Sequence, residues 1–207
     1  LMPRCFAALC AFFKTVKGQC TGISFIDSTS LAVCHNRRIQ RHRVFALFAG
    51  RGKSSVDWFF GFKLHLVINH RGEIIDFHVT PGNVDDRKPV KGFSQKLSGM
   101  LVGDKGYLSA ELQDQLAEKN IQLITPVRKN MKSPKRTPFE KTLLRHRSLI
   151  ETVNDELKNL CQVEHTRHRS MNGLLINLMA GLIAYCLAPK KPKLSISTTY
   201  PLQTLAT

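Results

Sequence analysis

The segment from Trp58 to Ile68 carries apolar side chains at every second position. Those of one set are Phe60, Phe62, Leu64, Leu66 and Ile68. Lys63 and His65 fall between them, and successive side chains of a strand point to opposite faces. The pattern therefore predicts a long strand that buries one face in a core and presents Lys63 and His65 on the other.

Four shorter apolar stretches predict the remaining strands of the sheet. They span Gly22 to Ile26, Glu73 to Thr80, Met100 to Val102 and Ile121 to Thr125. The first is predicted to end at Asp27 and to be followed by a loop from Ser28 to Val56. The strand from Glu73 is half exposed in its pattern, so we expect it near an edge of the sheet.

Helical signals alternate with these strands. The predicted helices cover Pro89 to Leu97, Ser109 to Lys119, Lys141 to Cys161 and Leu174 to Leu187. The segment from Arg128 to Lys141, which contains two prolines, is predicted to be an irregular linker. This order of elements predicts an α/β fold in which helices flank a mixed sheet.

The excess of positive charge points to an anionic partner. The chain has 31 Lys and Arg against 15 Asp and Glu, a formal net charge of +16. Two segments concentrate it, from Arg37 to Lys53 and from Arg128 to Arg147, which favours salt-dependent contacts to phosphates. The apolar stretch from Leu174 to Leu187 is shorter than the roughly 20 residues that a bilayer requires, so the sequence favours nucleic acid over a membrane.

The cysteines indicate no metal site or disulfide framework. Six are present, without a C-x-x-C pair. Cys161, His165 and His168 could ligate zinc in principle, but the sequence offers no matching second pair. We therefore expect free thiols in a reducing compartment.

Two aspartates follow apolar stretches directly or after one glycine. Asp27 ends the first predicted strand, and Asp104 comes after Val102 and Gly103. Groups just beyond strand ends line a crevice in open sheets, and divalent cations need several carboxylates held together. An aspartate that binds local backbone amides in a turn has the same signature, so the residues alone leave both roles open.

A third acid lies on the predicted helix from Lys141. At about 100° per residue, Glu151 and Lys158 fall within about 40° of Arg147. The apolar residues of the helix lie on the other side: Leu149, Ile150, Val153, Leu157 and Leu160. A solvent-facing row with Arg–Glu pairs has the same pattern. Four further acids are rival ligands: Asp85, Asp86, Asp155 and Glu156.

Taken together, the motifs resemble the DDE transposases of bacterial insertion sequences. The general signatures are Phe25–Thr29, Val102–Tyr107 and Arg147-x3-Glu151-x6-Lys158. Those of the most similar subgroup are Asp27–Thr29 with Val33–Asn36, Gly61–Leu66, Thr80–Asp86 and His165–Ser170. The resemblance covers Gly22 to Leu187. Leu144 departs from it, because the broader pattern has Tyr there and credits that Tyr with a DNA contact.

The resemblance implies an RNase H-like fold with a mixed five-stranded sheet flanked by helices. Residues 22–188 would form the catalytic domain, 1–21 a remnant of an N-terminal DNA-binding region, and 189–207 a disordered tail. Either the gene would then be a truncated copy, or only part of it is present here. Similar proteins act in the bacterial cytoplasm on the nucleoid, and we expect a homodimer in the complex with DNA.

The resemblance also implies the site. Asp27, Asp104 and Glu151 would be catalytic and would bind two Mg²⁺ or Mn²⁺ ions. The site that they form would cleave transposon-end DNA and join it to target DNA. The residues expected to contact DNA are Lys63, His65, Lys105, Arg147, Lys158, Arg37, Arg38 and Arg41. Two alternatives stay open: a junction-type nuclease on the same fold, and a catalytically dead remnant that still binds DNA.

Overall fold

A mixed sheet forms the centre of the computed structural model, which describes residues 2–54, 57–128, 130–131, 134–165 and 168–195, with the backbone alone for residues 2–4. Its strands are β1 (Ile23–Cys34), β2 (Gly50–Lys53), β3 (Trp58–Asn69), β4 (Ile74–Pro81), β5 (Gly99–Val102) and β6 (Ile121–Ile124). The helices are α1 (Met2–Val16), α2 (Val90–Phe93), α3 (Ala110–Ala117), α4 (Pro138–Arg145), α5 (Ser148–Asn159) and α6 (Met171–Leu187). Short 3-10 helices cover Asn36–Arg41, Ser94–Lys96 and Lys105–Tyr107.

The central strand β1 joins the antiparallel and parallel parts of the sheet. It pairs antiparallel with β3 on one side and parallel with β5 on the other, and β5 pairs parallel with β6. On its outer side β3 pairs with β2 near its start and with β4 further along. This confirms the predicted mixed α/β sheet with helices, and the edge position of β4, but the described residues contain six strands rather than five because β2 was not predicted.

The prediction that the first strand ends at Asp27 is wrong. β1 continues to Cys34, and its ladder with β3 runs from Ser24 opposite Asn69 to Cys34 opposite Phe60. Polar Ser28, Thr29 and Ser30 hid the strand, because backbone pairing needs no apolar side chain. The predicted loop from Ser28 to Val56 therefore contains half of β1, a 3-10 helix and all of β2.

The predicted helix from Lys141 to Cys161 is two helices. α4 begins at Pro138, inside the predicted linker, where Thr137 and Glu140 form a capping box. His146 and Arg147 separate it from α5, which ends at Asn159. Leu160 is consequently 75% exposed instead of lying on the apolar stripe. Neither Gly nor Pro marks the break, so no local signal predicted it.

The other three predicted helices are present within a few residues of their predicted bounds, whereas α1 was not predicted. Ser109 caps α3 as predicted, since its hydroxyl accepts a hydrogen bond from the Leu112 amide. The helix predicted at Pro89 is α2 continued by the 3-10 helix Ser94–Lys96. Ser170 caps α6, which therefore starts at Met171, before the predicted Leu174.

The sheet separates two hydrophobic clusters. On one side, the predicted face of β3 from Phe60 to Ile68 packs with buried residues of α5 and α6. On the other, Ile26 and Val67 pack with residues of α2 and α3, including Phe93 and Leu112. The alternation predicted for β3 is thus confirmed. None of the described helices combines the length and apolar character needed to cross a bilayer.

Both ends of the described chain contact the sheet domain. α1 packs along α6, and Phe13 is buried in the larger cluster. Near the other end, the Leu194 amide donates a hydrogen bond of 2.8 Å to the His70 carbonyl. The tail predicted to be disordered includes residues 196–207, which lie outside the described residues.

We predict that Leu64→Ala lowers the free energy of unfolding by about 2–5 kcal/mol, because Leu64 is fully buried in the centre of β3 and its truncation leaves a cavity. Urea unfolding followed by circular dichroism measures the change. Leu47→Ala is the control, with an expected change below about 0.5 kcal/mol, since that side chain is 91% exposed. Equal losses in the two variants would contradict the assigned core.

Candidate active site

A cavity of about 640 Å³ collects the three acids that the sequence singled out. Asp27, Asp104 and Glu151 all line it, as do the rival acids Asp86 and Asp155. Its basic lining residues are Lys53, Lys63, Arg147 and Lys158. The fold therefore brings together on one wall side chains that are far apart in the chain.

The two aspartates reach the cavity through the parallel pairing of β1 and β5. Phe25 pairs with Val102 at the last position of this ladder, so Asp27 and Asp104 each follow two residues later. Asp27 remains in the strand because β3 continues to pair with it. Asp104 leaves the sheet and caps a 3-10 helix, where its Oδ1 accepts a hydrogen bond of 2.6 Å from the Lys105 amide.

Asp27 is held in an unfavourable environment for a charge. Burial, followed by the nearby charges of Asp104 and Glu151, raises the pKa of Asp27 to about 6, although the Ser28 amide and Arg147 act in the opposite direction. Its Oδ2 accepts a hydrogen bond of 3.2 Å from Asn154 Nδ2. A pKa shifted by burial and like charges in a cavity is typical of a functional carboxylate.

Glu151 reaches the same cavity from the first turn of α5. Its Oε1 accepts a hydrogen bond of 2.5 Å from Arg147 Nη2, one helical turn earlier, so the predicted polar row on this helix is present. Arg147 begins the helix at the break after α4. The Glu151 carboxylate thus already forms an ion pair with the Arg147 guanidinium.

The carboxylates do not converge on one point. Within the described ranges, no three His, Cys, Asp or Glu side chains are arranged to hold a metal ion. The donor chemistry nevertheless suits a hard divalent cation, because carboxylate oxygens are its preferred ligands and a cation would offset the charges crowded around Asp27. Glu151 could complete such a set only after giving up Arg147.

Two of the three lysines predicted to bind DNA line the cavity and already have anionic partners. Lys63 Nζ donates to Asp86 Oδ1 at 2.9 Å and to the Val84 carbonyl at 3.0 Å. Lys158 Nζ lies 2.8 Å from Glu164 Oε2, while Glu164 Oε1 accepts from the Ala32 amide at the irregularity in β1. Both lysines therefore hold the wall of the cavity together.

His65 does not occupy the position that the sequence suggested. Its side chain is fully buried beneath the cavity, and Nε2 lies 2.8 Å from Thr80 Oγ1. Burial lowers the pKa of His65 to about 4, which favours the neutral ring. A direct contact of His65 with DNA is incompatible with this burial; Asp86, in the segment after β4, lies 3.8 Å from its Nδ1.

The remaining predicted DNA contacts lie on the surface. Lys105 is exposed beside Asp104. Arg37, Arg38 and Arg41 are exposed on the 3-10 helix Asn36–Arg41 and do not line the cavity. Leu144, where the resembled pattern has Tyr, instead packs partly buried against the larger cluster.

Two residues of the site were missed by the sequence analysis. Asn154 is buried and joins α5 to Asp27, and Tyr107 lines the cavity with its ring buried in the smaller cluster. Burial raises the pKa of the Tyr107 hydroxyl. A polar amide three residues after Glu151 on the helix was a usable signal for Asn154, whereas nothing local indicated the direction of Tyr107.

Two other candidate ligand sets, at Asp85 and at Cys161 with its neighbouring histidines, do not form metal sites among the described residues. Asp85 is bound by Arg87, with Oδ2 at 2.5 Å from Nη2, and this contact lowers the pKa of Asp85. The rings of His165 and His168 lie 3.9 Å apart, but they make no three-ligand metal site with Cys161. None of the six cysteines forms a disulfide bond.

Comparison with known proteins decides the family. The family described as "Transposase DDE domain" matches residues 17–171, a range that includes Asp27, Asp104 and Glu151. The chain belongs to the DDE transposase domain family. The mixed sheet with its central β1 is the scaffold of this DDE domain, and the carboxylate cavity lies entirely within the matched range.

No curated protein sequence matches the chain. Among solved structures, a chain of the simian T-cell lymphotropic virus intasome in complex with PP2A regulatory subunit B56 gamma is similar, with a TM-score of 0.44 and 14% identity. The similarity covers 89% of this chain and 61% of that chain. This DDE domain thus corresponds to less than two thirds of the length of that protein.

We predict that Asp27→Asn stabilises the protein at pH 8 in EDTA, by at most about 3 kcal/mol. The pKa of Asp27 is about 6 in the folded chain and about 3.8 when unfolded. The folded state keeps the proton longer, so this group lowers stability as the pH rises from about 4 to about 6 and its cost is complete above that range.

Urea unfolding of wild type and variant at pH 4 and pH 8 measures this difference, which should vanish at the lower pH. Asp85→Asn is the matched control, because that carboxylate is stabilised by Arg87 and its replacement should bring no gain. A variant that is no more stable than the wild type at pH 8 would contradict the assigned environment of Asp27.

Proposed function

We propose that this chain is the catalytic part of a transposase that cuts DNA at a transposon end and joins the freed 3′-end to target DNA. The observation that carries the proposal is the common cavity of Asp27, Asp104 and Glu151 within the DDE domain. Phosphoryl transfer of this kind depends on positioned carboxylates and charge neutralisation rather than on a protein nucleophile. DNA is the partner because the family acts on DNA and the chain carries a net charge of +16.

DDE transposases use divalent metal ions, and Asp27, Asp104 and Glu151 are the residues that would hold two Mg²⁺ or Mn²⁺ ions here. When bound, these ions would neutralise charge on the phosphate and acidify the attacking water or 3′-hydroxyl. Burial favours the protonated form of the Asp27 carboxyl, and a bound metal ion would replace that proton. Asn154 fixes the orientation of that carboxylate through its hydrogen bond to Oδ2.

The basic residues divide into two groups by their present partners. Lys53 lines the cavity and Lys105 is exposed beside Asp104, so these two would contact phosphates near the reaction. Arg147 also lines the cavity, but it would bind a phosphate there in exchange for Glu151. Lys63 and Lys158 contribute positive charge to the wall but would bind a phosphate only in exchange for Asp86 and Glu164.

Contacts further from the cavity would position the DNA. Arg37, Arg38 and Arg41 are exposed on one short helix and would bind phosphates without reading sequence. Two copies of the chain would act together on the DNA, in the bacterial cytoplasm.

A DNA-binding remnant without activity is the second candidate. It is favoured by one observation, namely that Glu151 is bonded to Arg147 while the carboxylates do not converge. A junction-type nuclease would share the acids and the metal ions. It differs from a transposase in its product, because only a transposase joins the cleaved end to a second DNA.

We predict that Glu151→Gln lowers cleavage of labelled transposon-end DNA at least roughly 100-fold while leaving DNA affinity unchanged, since it removes a metal ligand and not a phosphate contact. Gel analysis of nicked and joined products with a supercoiled target measures cleavage and joining separately. Asp85→Asn is the matched control and should retain activity, because Asp85 is occupied by Arg87. Equal loss in both variants would argue against the assignment, and nicking without joined product would favour the nuclease.

We predict that Mg²⁺ or Mn²⁺ stabilises the wild-type chain, by about 2.7 kcal/mol at 100 times the dissociation constant. Urea unfolding across a metal titration, in a matched ionic strength set with KCl, measures the gain. Asp27→Asn and Asp104→Asn should lose it, whereas Asp85→Asn should keep it. A flat response of the wild type would support the inactive remnant.

A further inference from the structure

Trp58 is the sole tryptophan of the chain, and 46% of it is exposed. It starts β3 and pairs with Lys53 of β2, so it lies on the hairpin that these strands form. Arg51 Cζ is 5.3 Å and Lys53 Nζ is 5.9 Å from the centre of its ring. The sequence analysis did not assign any role to this residue.

The backbone of Trp58 is fixed although its side chain is exposed. Its carbonyl accepts a hydrogen bond of 2.6 Å from Asn36 Nδ2, and its amide donates to Asp57 Oδ1 at 2.7 Å. The next residue, Phe59, is buried. The indole is therefore presented to solvent from a hydrogen-bonded backbone and is flanked by two cations.

Trp58 and Arg51 line a second cavity of about 420 Å³. This cavity adjoins the carboxylate cavity, because Lys53, Lys63, Asp86 and Gly106 line both. Sites for small ligands typically measure about 300–1,000 Å³, so a cavity of this volume is large enough for a nucleotide. An aromatic face thus lies directly beside the candidate active site.

We propose that Trp58 stacks an unpaired base of the DNA strand whose backbone enters the carboxylate cavity, while Arg51 and Lys53 contact its phosphates. This inference rests on the proposed function and adds a subsite for an unpaired nucleotide to it. Aromatic side chains beside a positively charged groove are the usual means of binding single-stranded nucleic acid. A second copy of the chain is a poorer occupant, because two surfaces of the same positive charge repel each other.

The proposed subsite requires that a base of the DNA be unpaired. A base inside a closed duplex is stacked on its neighbours and cannot reach the indole, so the subsite requires an unpaired base near the cleaved position. End DNA with two unpaired bases should therefore bind more tightly than the same end fully paired. The two DNAs present the same phosphates to Arg51 and Lys53, so a difference in affinity would come from the unpaired bases.

The fluorescence of the wild-type chain tests the stacking directly, because Trp58 alone emits when excitation is selective for tryptophan over the three tyrosines. In EDTA, titration with end DNA that contains two unpaired bases should quench the emission with saturation, while the fully paired end quenches it little. Anisotropy of labelled DNA in the same samples records binding independently. Bound DNA without quenching would overturn the inference.

A double-mutant cycle supplies the affinity test. Trp58→Ala should weaken binding of the unpaired-base DNA roughly ten-fold, but should leave unchanged the affinity for DNA in which those nucleotides are abasic. Trp58→Phe should retain most of the affinity, and Leu47→Ala, at another exposed apolar residue, should alter neither DNA complex. A loss in Trp58→Ala that is equal for intact and abasic DNA would overturn the inference.

The test separates this inference from the proposed function because it requires no cleavage. A wild-type chain that cleaves and joins end DNA with metal, yet shows no quenching without it, overturns the stacking alone. Quenching and a ten-fold effect at Trp58 in a chain that never cleaves support the subsite and overturn the transposase activity. The circular dichroism spectrum of Trp58→Ala should match that of the wild type, as expected for a half-exposed residue.

Discussion

The unequal pairing of β1 on its two sides shapes the site. β3 pairs with β1 as far as Cys34, whereas β5 pairs with it only from Ile23 to Phe25. Beyond Phe25, one edge of β1 is therefore free of a strand, and the carboxylate cavity opens there with Ser28, Thr29 and Ser30 in its wall. Because Asp27 is still held by the ladder to β3, its carboxylate is fixed in place without being covered by the parallel part of the sheet. The Asp104 turn and α5 then complete the cavity.

Repulsion between neighbouring carboxylates distinguishes this cavity from the remaining surface. In a chain with a large positive excess, five carboxylates line one cavity, and burial near like charges raises the pKa of Asp27. Such an arrangement costs stability in the isolated chain. Its own cations offset part of that cost, since Arg147 binds Glu151 and Lys63 binds Asp86. DNA and metal ions would therefore compete with these two internal ion pairs for the same groups.

The basic residues accordingly serve different purposes. Lysines that the sequence assigned to DNA hold the cavity wall, and His65 is buried beneath it. Exposed arginines at 37, 38 and 41 remain available for phosphates. Around Trp58, two cations flank an exposed aromatic ring on the wall of an adjoining cavity. In the proposed DNA complex, a strand backbone and an unpaired base would have separate positions on this surface.

Local patterns in the sequence were sufficient for the buried face of β3, the cap of α3 at Ser109, and the shared helical face of Arg147 and Glu151, because each depends on periodicity or on neighbours within one turn. The motifs also identified the family. The sequence did not determine that β1 continues through Ser28 to Cys34, that His146 and Arg147 interrupt a helix, or that Lys63 and Lys158 are paired with carboxylates. Those features arise from contacts between segments distant in the chain. Only the tertiary structure decided them, because backbone pairing and ion pairing depend on which groups the fold brings within reach and not on the residue types alone.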